Sequence, residues 1–449
     1  MTARAGRRAR GLDETARPAA ADQTRRDEIL QTAARLIASS GLRTSLQQIA
    51  DDAGILPGSL YHHFESKDAI LLELMRQYHT DLDRVPELAR RQRTGPGGAH
   101  AVSDLEDLAV AIARFTVEHR AALQMSFYEQ PSENAELAGL ARRPPVAIQR
   151  AMLDILRSGR AARVFRAGLD LPVLADRICQ SMLHIGLDVI RHDAAPEDAA
   201  ALLCRIVLGG LATADVADAT LDRSAAFTAA DEVIQGWPDE SVDEPPDKAA
   251  RIRAAARAEF GRRGYEGTTA RDIAAAAGLP TTTVYRFIGS KDALLMSIMR
   301  SFGEKVGAGW TSVLRSESTP LEKLDALSWI NVNALDRFSD EFRIQLAWMR
   351  QSPPDTPAIG WSFGTRLRQM KRLIADGIRA GEIRRDSSSL EMVARCVMGL
   401  HWIPGNILTE VGRRVALIHV RDTLVRGIAV RDRRGGRSPA QRPSRSPHR

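Results

Sequence analysis

Apolar residues recur along this chain at intervals of three and four. No stretch of useful length alternates with a period of two, so the pattern predicts an all-α protein. A first amphipathic helix is predicted over about 23–39, with Ile29, Ala33, Leu36 and Ile37 facing inward. A second of the same kind begins near Asp247, with Ile252, Ala256 and Phe260 inward. Gly41 and Gly264 stand where each helix should close on a residue with positive φ. Thr44 and Ser45, and likewise Thr268 and Thr269, then offer capping hydroxyls to a following helix, and Gln48 completes a capping-box pattern with Ser45. Further on, apolar stripes predict helix bundles. Leu105, Leu108, Ile112 and Phe115 form one, Ile178, Met182, Ile185 and Val189 another, and Phe363, Leu367, Met370, Ile374 and Ile378 a third.

The chain says nearly the same thing twice. Residues 44–71 align without a gap on 268–295, with 11 of 28 positions identical. Two later stretches, 155–166 and 374–385, also correspond. Between the copies, 236–248 reads GWPDESVDEPPDK, a composition that favours an extended, solvated path over a core. The expected organisation is a basic arm (1–22), a small helical domain (23–80), a bundle (81–212), a linker (213–246), a second small helical domain (247–304), a second bundle (305–430) and an Arg-rich tail (431–449).

Within each small domain, Gly54 and Gly278 separate two short helices, the later one at 57–63 and 281–287. That is the layout of a helix-turn-helix. Leu60 and Phe64, and Val284 and Ile288, should face inward, which turns Ser59, His62 and His63 outward in one copy and Thr282, Thr283 and Arg286 outward in the other. A helix that enters a DNA major groove needs small or polar residues near its start, and Pro57, Gly58 and Ser59 meet that need as Thr281, Thr282 and Thr283 do. Tyr61, Lys67, Tyr285 and Lys291 sit where phosphate donors are required, together with the hydroxyls of Thr44 and Thr268. Ser45, Gln47, Thr269 and Arg271 at the preceding helix complete the candidate DNA contacts.

At these residues the chain resembles the TetR family of transcriptional regulators. The resemblance is carried by I-A-D-D-A-G-I and L-Y-H-H-F-E-S-K-D within 49–68, and by I-A-A-A-A-G-L and V-Y-R-F-I-G-S-K-D within 273–292. It implies, in each copy, a three-helix DNA-binding domain followed by a helical ligand-binding and dimerisation bundle. It implies that Tyr61, Lys67, Tyr285 and Lys291 contact phosphate, and that the last two helices of each copy (171–192 with 196–211, 388–408 with 413–430) form the dimer interface. Two departures stand out: Phe287 replaces His63, and Ile288 replaces Phe64. The two recognition faces differ at nearly every outward position, so they should not read the same bases. Family members usually bind as homodimers, whereas this chain holds both units. An intramolecular pseudo-dimer on an asymmetric operator and a homodimer with four reading units are both open.

The implied function is sequence-specific transcriptional regulation of repressor type, relieved by a small effector. The segment GILPGSLYHHFESKDAILLELM looks like that of members controlling fatty-acid, acyl-CoA or steroid breakdown, which points to a lipid-like or CoA-linked ligand. All six Trp lie beyond residue 236, so the two bundles cannot offer equivalent pockets. Phe115, Met182, Trp348, Met349, Met370 and Trp402 are the candidate effector residues, each also readable as core. Two other classes stay open: a non-specific architectural protein that bridges DNA, and a ligand-sensing scaffold whose second helix-turn-helix no longer reads.

Charge changes the picture less than it first suggests. The chain of 449 residues has a formal charge of +7, but the two tails contribute +6 and +2, which leaves the body at −1. Any DNA-binding surface must therefore be a local patch, with the tails as auxiliary arms. There is no P-loop, dinucleotide glycine pattern or HExxH, and the residues nominate no catalytic group, cofactor or metal. Three widely spaced cysteines and no CxxC argue for a reducing compartment without disulfides, and no apolar run predicts a membrane span. The expected setting is a bacterial cytoplasm, at the nucleoid.

Overall fold

The computed structural model describes residues 16–40, 44–91, 101–128, 134–189, 195–237, 247–351 and 363–431. Copy one contains α1 (Ala16–Ser40), α2 (Leu46–Asp52), α3 (Pro57–His63), α4 (Lys67–Arg91), α5 (Ala101–Glu118), α6 (Arg120–Tyr128), α7 (Ala135–Ala141), α8 (Val146–Ala161), α9 (Leu171–Val189) and α10 (Pro196–Gly209). Then come α11 (Asp218–Asp222) and α12 (Ala225–Gln235). Copy two contains α13 (Lys248–Gly267), α14 (Ala270–Ala277), α15 (Thr281–Ile288), α16 (Lys291–Arg315), α17 (Pro320–Arg337), α18 (Ser339–Gln351), α19 (Phe363–Arg379), α20 (Leu390–Leu400) and α21 (Gly405–Val420), which runs into a π-helical turn, Arg421–Arg426. Among the described residues the only extended pairings are two isolated bridges, Phe165 with Ala429 and Ala212 with Ile383. The fold is all-α, as the periodicity requires.

Three expectations need amendment. The first helix begins at Ala16, inside the segment read as a basic arm. Residues 213–237, placed in the linker, pack on copy two: Phe227 stacks on Trp329 at 5.6 Å, the Trp329 indole N–H donates to Asp231 at 2.5 Å, and the Trp237 ring lies 5.0 Å from Phe338. Here Ala226, Phe227, Ala230 and Trp237 supply an apolar face that the acidic, Pro-rich stretch beside them masks in a composition reading. Arg431, read as the first residue of a free tail, donates to the Ala212 carbonyl at 2.9 Å and pairs with Asp215. Gly41, most of the linker stretch at 238–246, the tail at 432–449 and the side chains of Val189, Ile288 and Phe363 lie outside the description.

The chain divides into two compact bodies. The first is formed by Met1–Thr80, His119–Phe127 and Pro131–Arg143. Its core brings Ile29, Ala33 and Ile37 of α1 against Ile49, Ala50, Leu60 and Phe64 of the helix-turn-helix, all at most 2% exposed. Each of the larger side chains there contributes about 1.5–3 kcal/mol by leaving water. The α7 helix is tied in through His79, whose Nε2 lies 2.8 Å from the Leu140 carbonyl oxygen.

The second body, Asp81–Glu118, Tyr128–Gln130 and Pro144–Arg449, holds the rest of copy one's bundle and all of copy two. In it α5 packs on α8, α9 and α10, while α17 packs on α12, α16, α19 and α21. The predicted stripes are interior: Leu105, Leu108 and Ile112 in one half, and Leu367, Met370 and Ile374 in the other, are at most 7% exposed. Arg421, fully buried, binds Asp325 of α17 through two hydrogen bonds of 2.8 and 2.7 Å, and reaches Asp218 and Asp222 of α11 at 2.9 and 2.7 Å. Burial alone would lower this guanidinium's pKa, but the pairs with Asp325 and Asp222 outweigh it and hold the group above the ordinary arginine value.

The last two helices of each copy meet inside this body, α9 and α10 against α20 and α10 against the π-helical turn. The backbone contacts come in reciprocal pairs. Leu211 N–H donates to the Leu424 carbonyl at 2.8 Å and Ile428 N–H to that of Val207 at 2.9 Å; Arg166 N–H donates to the Ile428 carbonyl and Arg384 N–H to that of Leu211, both at 2.8 Å. Thr213 N–H to Glu382 and Val430 N–H to Val164 complete the set at 2.9 and 2.8 Å. Reciprocity of this kind is the mark of an isologous interface. Its register pairs Arg166 with Arg384, Gly210 with Gly427, Arg205 with Asp422 and Ile206 with Thr423 as equivalent positions.

Candidate nucleic-acid interface

Each helix-turn-helix is built from short helices that need their caps. In copy one the Ser45 backbone N–H donates to Gln48 Oε1 at 2.8 Å and the Gln48 N–H to Ser45 Oγ at 3.1 Å, the predicted capping box. In copy two Thr269 and Asp272 make the same box, at 2.8 and 3.2 Å. Gly54 and Gly278 take φ of 66° and 62°, which lets the chain leave α2 and α14 toward the next helix. Pro57 opens α3 with its φ already set. Ser66 and Ser290 cap the following long helices by accepting from Ala69 and Ala293 N–H.

Arginines from the first helix hold the turns. Arg25 donates to the Ala53 carbonyl at 3.1 Å, and Arg26 donates to that of His63 at 3.3 Å while lying 4.2 Å over the Phe64 ring. Arg251 donates to the Ala277 carbonyl at 2.8 Å, reaching the residue equivalent to Ala53 from one turn further along its helix. The periodicity reading missed these anchors, although the Arg-Arg pair just ahead of Ile29 is visible in the sequence.

With the core residues Leu60, Phe64 and Val284 buried, the expected reading faces are outward. Gly58, Ser59, Tyr61 and His62 are exposed in copy one, with Pro57 and His63 half-buried. Thr282, Tyr285, Arg286 and Phe287 are exposed in copy two, with Thr281 and Thr283 half-buried. Tyr61 and Tyr285 are 55% and 56% exposed, the same presentation in both copies. Gln47 and Arg271 are exposed on the preceding helices, Gln47 with its amide on Asp51 at 2.7 Å. The faces diverge where the sequence diverges: Phe287, 46% exposed under the Arg286 guanidinium, stands in place of His63.

Four expected phosphate groups sit differently. Thr44 and Thr268 are 3% and 1% exposed, and the Thr268 hydroxyl faces the carbonyls of Gly264 and Glu259 at 2.7 and 3.1 Å. Thr268 thus braces the loop before its helix-turn-helix, because an inward hydroxyl there meets carbonyls left over at a helix end. Lys291 is also turned inward: its ammonium donates to the Tyr265 and Thr268 carbonyls at 2.8 and 3.1 Å and lies 4.1 Å over the Tyr265 ring. Lys67 is half-buried, and burial lowers its ammonium pKa against the opposing pull of Asp68.

The candidate effector residues do not share one position. Phe115, Met182 and Met370 are buried in helix interiors. Trp402 lies between the copies, its ring 5.6 Å from that of His184 and 6.0 Å from Phe342. The side chains of Trp348 and Met349 lie outside the description. Among the described residues no group of His, Cys, Asp and Glu is arranged to hold a metal, and no helix is long and apolar enough to cross a membrane.

Comparison with known proteins agrees with this geometry. The profile of the bacterial regulatory proteins, tetR family, matches twice, at residues 29–74 and 252–298. The HTH-type transcriptional repressor KstR2 of Mycolicibacterium smegmatis is 38% identical over 157 residues, 34% of this chain and 72% of that protein. The HTH-type transcriptional regulator UidR of Escherichia coli is 24% identical over 43% of this chain and 95% of its own length. The solved structure of the ketosteroid transcriptional regulator KstR2 of Mycobacterium tuberculosis aligns with 40% of this chain and 92% of that chain, at 24% identity and a TM-score of 0.33. A helix-turn-helix found twice and a relative matched over most of its length together place the chain in the TetR family of bacterial regulatory proteins, as a DNA-binding regulator of tandem form.

Proposed function

We propose that this protein is a repressor that reads an asymmetric operator, one half-site for each copy, and that a small hydrophobic effector of lipid or acyl-CoA character releases it. The observation that carries the reading is the pair of exposed, unlike recognition faces, Pro57–His63 and Thr281–Phe287, on one chain. The interlocked last helices of the two copies support an intramolecular pseudo-dimer in place of the usual pairing of identical subunits. The name of the relatives, transcriptional repressor, supports the sign of regulation.

Release requires that a bundle move its reading unit. Copy two offers the connection: α13 packs on α18, Gly261 leaves room for Asp340, and Arg257 pairs with Glu341 at 3.5 Å. A shift of α18 would carry α13 and the helix-turn-helix with it. Dimeric readers need half-sites about one DNA turn, or a multiple, apart, so a small rotation is enough to break the match.

A second reading has one observation in its favour. The inward Lys291 leaves copy two with one fewer cation for phosphate, as expected of a unit that no longer reads DNA. Selection of bound fragments from the source genome, at a stated salt concentration, separates the cases. One strong site with two different half-sites supports the asymmetric reader. A palindrome means that like copies of two chains pair on DNA. Uniform weak enrichment with a steep salt dependence leaves an architectural DNA binder.

A further inference from the structure

The seam between the copies is symmetric in its backbone and asymmetric in its charges. Arg205 of copy one forms two hydrogen bonds to Asp386 of copy two, both at 2.9 Å, and a third to Ser388 at 3.0 Å. Arg166 of copy one pairs with Asp422 of copy two at 2.8 Å. Arg177 of copy one, 1% exposed, donates to the carbonyls of Leu400 and His419 and to the Thr423 hydroxyl, all in copy two. In these three contacts the cation comes from copy one and every side-chain acceptor from copy two; in the other direction Arg384 donates to the Ala212 backbone carbonyl and the Asn406 amide to Asp176, both at 3.0 Å.

The register of the backbone shows what would happen if like met like. Arg205 and Asp422 occupy equivalent positions, as do Arg166 and Arg384, Gly168 and Asp386, and Ile206 and Thr423. Two copy-one faces would set Arg205 against Arg166 and Gly168, cation against cation, and Arg205 would lose the two hydrogen bonds it makes to Asp386. The buried Arg177 would meet Ile206 where Thr423 now accepts. Two copy-two faces would bring Asp422 to the place of Arg205, beside Asp386, with Arg384, at the place of Arg166, as the one cation left for both carboxylates. Arginine against arginine in the one case, with Arg177 deprived of the Thr423 hydroxyl and the pull of Asp422, and two carboxylates on one cation in the other, both oppose association.

We propose that Arg166, Arg177, Arg205, Asp386, Asp422 and Thr423 form a pairing code that makes each copy's interface fit the other copy and reject its own kind. The inference rests on the pseudo-dimer reading and gives it a mechanism: the protein is kept from dimerising through identical faces, and so from assembling a palindromic reader. Burial agrees with the demand on Arg177, whose pKa it pushes down to about 9 against the opposing pull of Asp422.

The test uses two full-length chains. One carries R166D/R205D, which turns copy one's face acidic, and the other carries D386R/D422R, which turns copy two's face basic. Alone, each has mismatched copies and should melt below the wild type. Mixed or co-expressed, they should form a 1:1 species of twice the chain mass of 49.2 kDa, in which each copy one sits on the other chain's copy two, and the melting midpoint should return toward the wild-type value. The double variant R205D/D386R within one chain should recover most of what either single change loses, which guards against variants that merely fail to fold. If both chains alone keep the wild-type mass and midpoint, the backbone ladder suffices and the code is overturned. If they melt early but do not complement when mixed, the residues matter locally and not as a code, which also overturns it. A wild-type mass of twice the chain, with complementation intact, would remove the intrachain reading while leaving the code standing.

Discussion

Gly210 and Gly427 lie back to back where the two copies meet: a Cβ on Gly210 would stand 2.3 Å from the Arg426 carbonyl carbon, and one on Gly427 would stand 2.3 Å from that of Gly209. Both have positive φ, 69° and 76°, with ψ near 160°, a region almost closed to other residues. Gly210→Ala or Gly427→Ala therefore meets strain and a backbone clash together. Each should cost at least about 2 kcal/mol and lower the melting midpoint by several degrees. Gly58→Ala is the contrast, since its Cβ would meet nothing within 4 Å inside α3, and it should raise stability by about 0.5–1 kcal/mol. Thermal unfolding followed by circular dichroism checks both, and equal melting of the Gly210 and Gly58 variants would contradict the packing described at the seam.

Arg421 links α11, α17 and the end of α21, and its loss should be felt in all three. Arg421→Ala leaves Asp325, itself fully buried, without its cation, which costs about 3–5 kcal/mol. Removing both charges with Asp325→Leu/Arg421→Met should cost much less, because the desolvation penalty goes with the pair. Urea unfolding of the two variants and the wild type decides the matter. A double variant as unstable as the single one would mean that Asp218 and Asp222, not Asp325, carry the effect.

The DNA-facing prediction separates side chains that point outward from those that turn in. Arg286→Ala should lower the slope of log K against log salt by about 0.9 if the exposed guanidinium reaches a phosphate. Tyr61→Ala and Tyr285→Ala should each weaken binding at the half-site read by its own copy. Thr268→Val should leave the slope unchanged and cost about 1 kcal/mol of stability, since its hydroxyl is already bonded to backbone carbonyls. Lys291→Ala should behave like Thr268→Val. A clear drop in its salt slope would show that the lysine swings out to DNA.

The contrast between Thr268 and Tyr285 shows what a sequence can and cannot disclose. Helix periodicity, the glycines at 54 and 278, and the capping residues are local features, so the helix-turn-helix and its outward face follow from spacing alone. Whether a hydroxyl just before the motif faces solvent depends on a loop brought back against Glu259 and Gly264, and spacing does not contain that. Arg177 shows the same limit. Beside Ile178 and Met182 it reads as the polar edge of an apolar stripe, and only the arrival of residues 400–423 turns it into a buried group. The α12 helix was hidden by its neighbours' composition, because Phe227 and Trp237 find Trp329 and Phe338 only in the folded chain. Equivalence of Arg205 with Asp422 needs the backbone register of the seam, which no periodicity supplies.

Acid should open the seam before it protonates most carboxylates. Burial pushes His184 down to about 4, against a bond to the Gln180 carbonyl. Burial, aided by Arg177, pushes His401 down to about 3. A histidine in an unfolded chain titrates near 6.5. Because both folded values are depressed, the unfolded state takes up protons first, and stability present above about pH 6.5 is lost as pH falls toward 4 and then 3. Asp386, held down to about 2 chiefly by its hydrogen bond from Arg205, adds a second loss between about pH 4 and 2. Melting midpoints measured from pH 7.5 to 2 should therefore fall steadily, and His401→Gln should flatten the fall above pH 4 while Arg205→Gln leaves that part in place and flattens only the decline below pH 4. If the midpoint held level down to pH 4.5, the two histidines would have to take up protons as readily in the folded chain as in the unfolded one, and burial would not govern them.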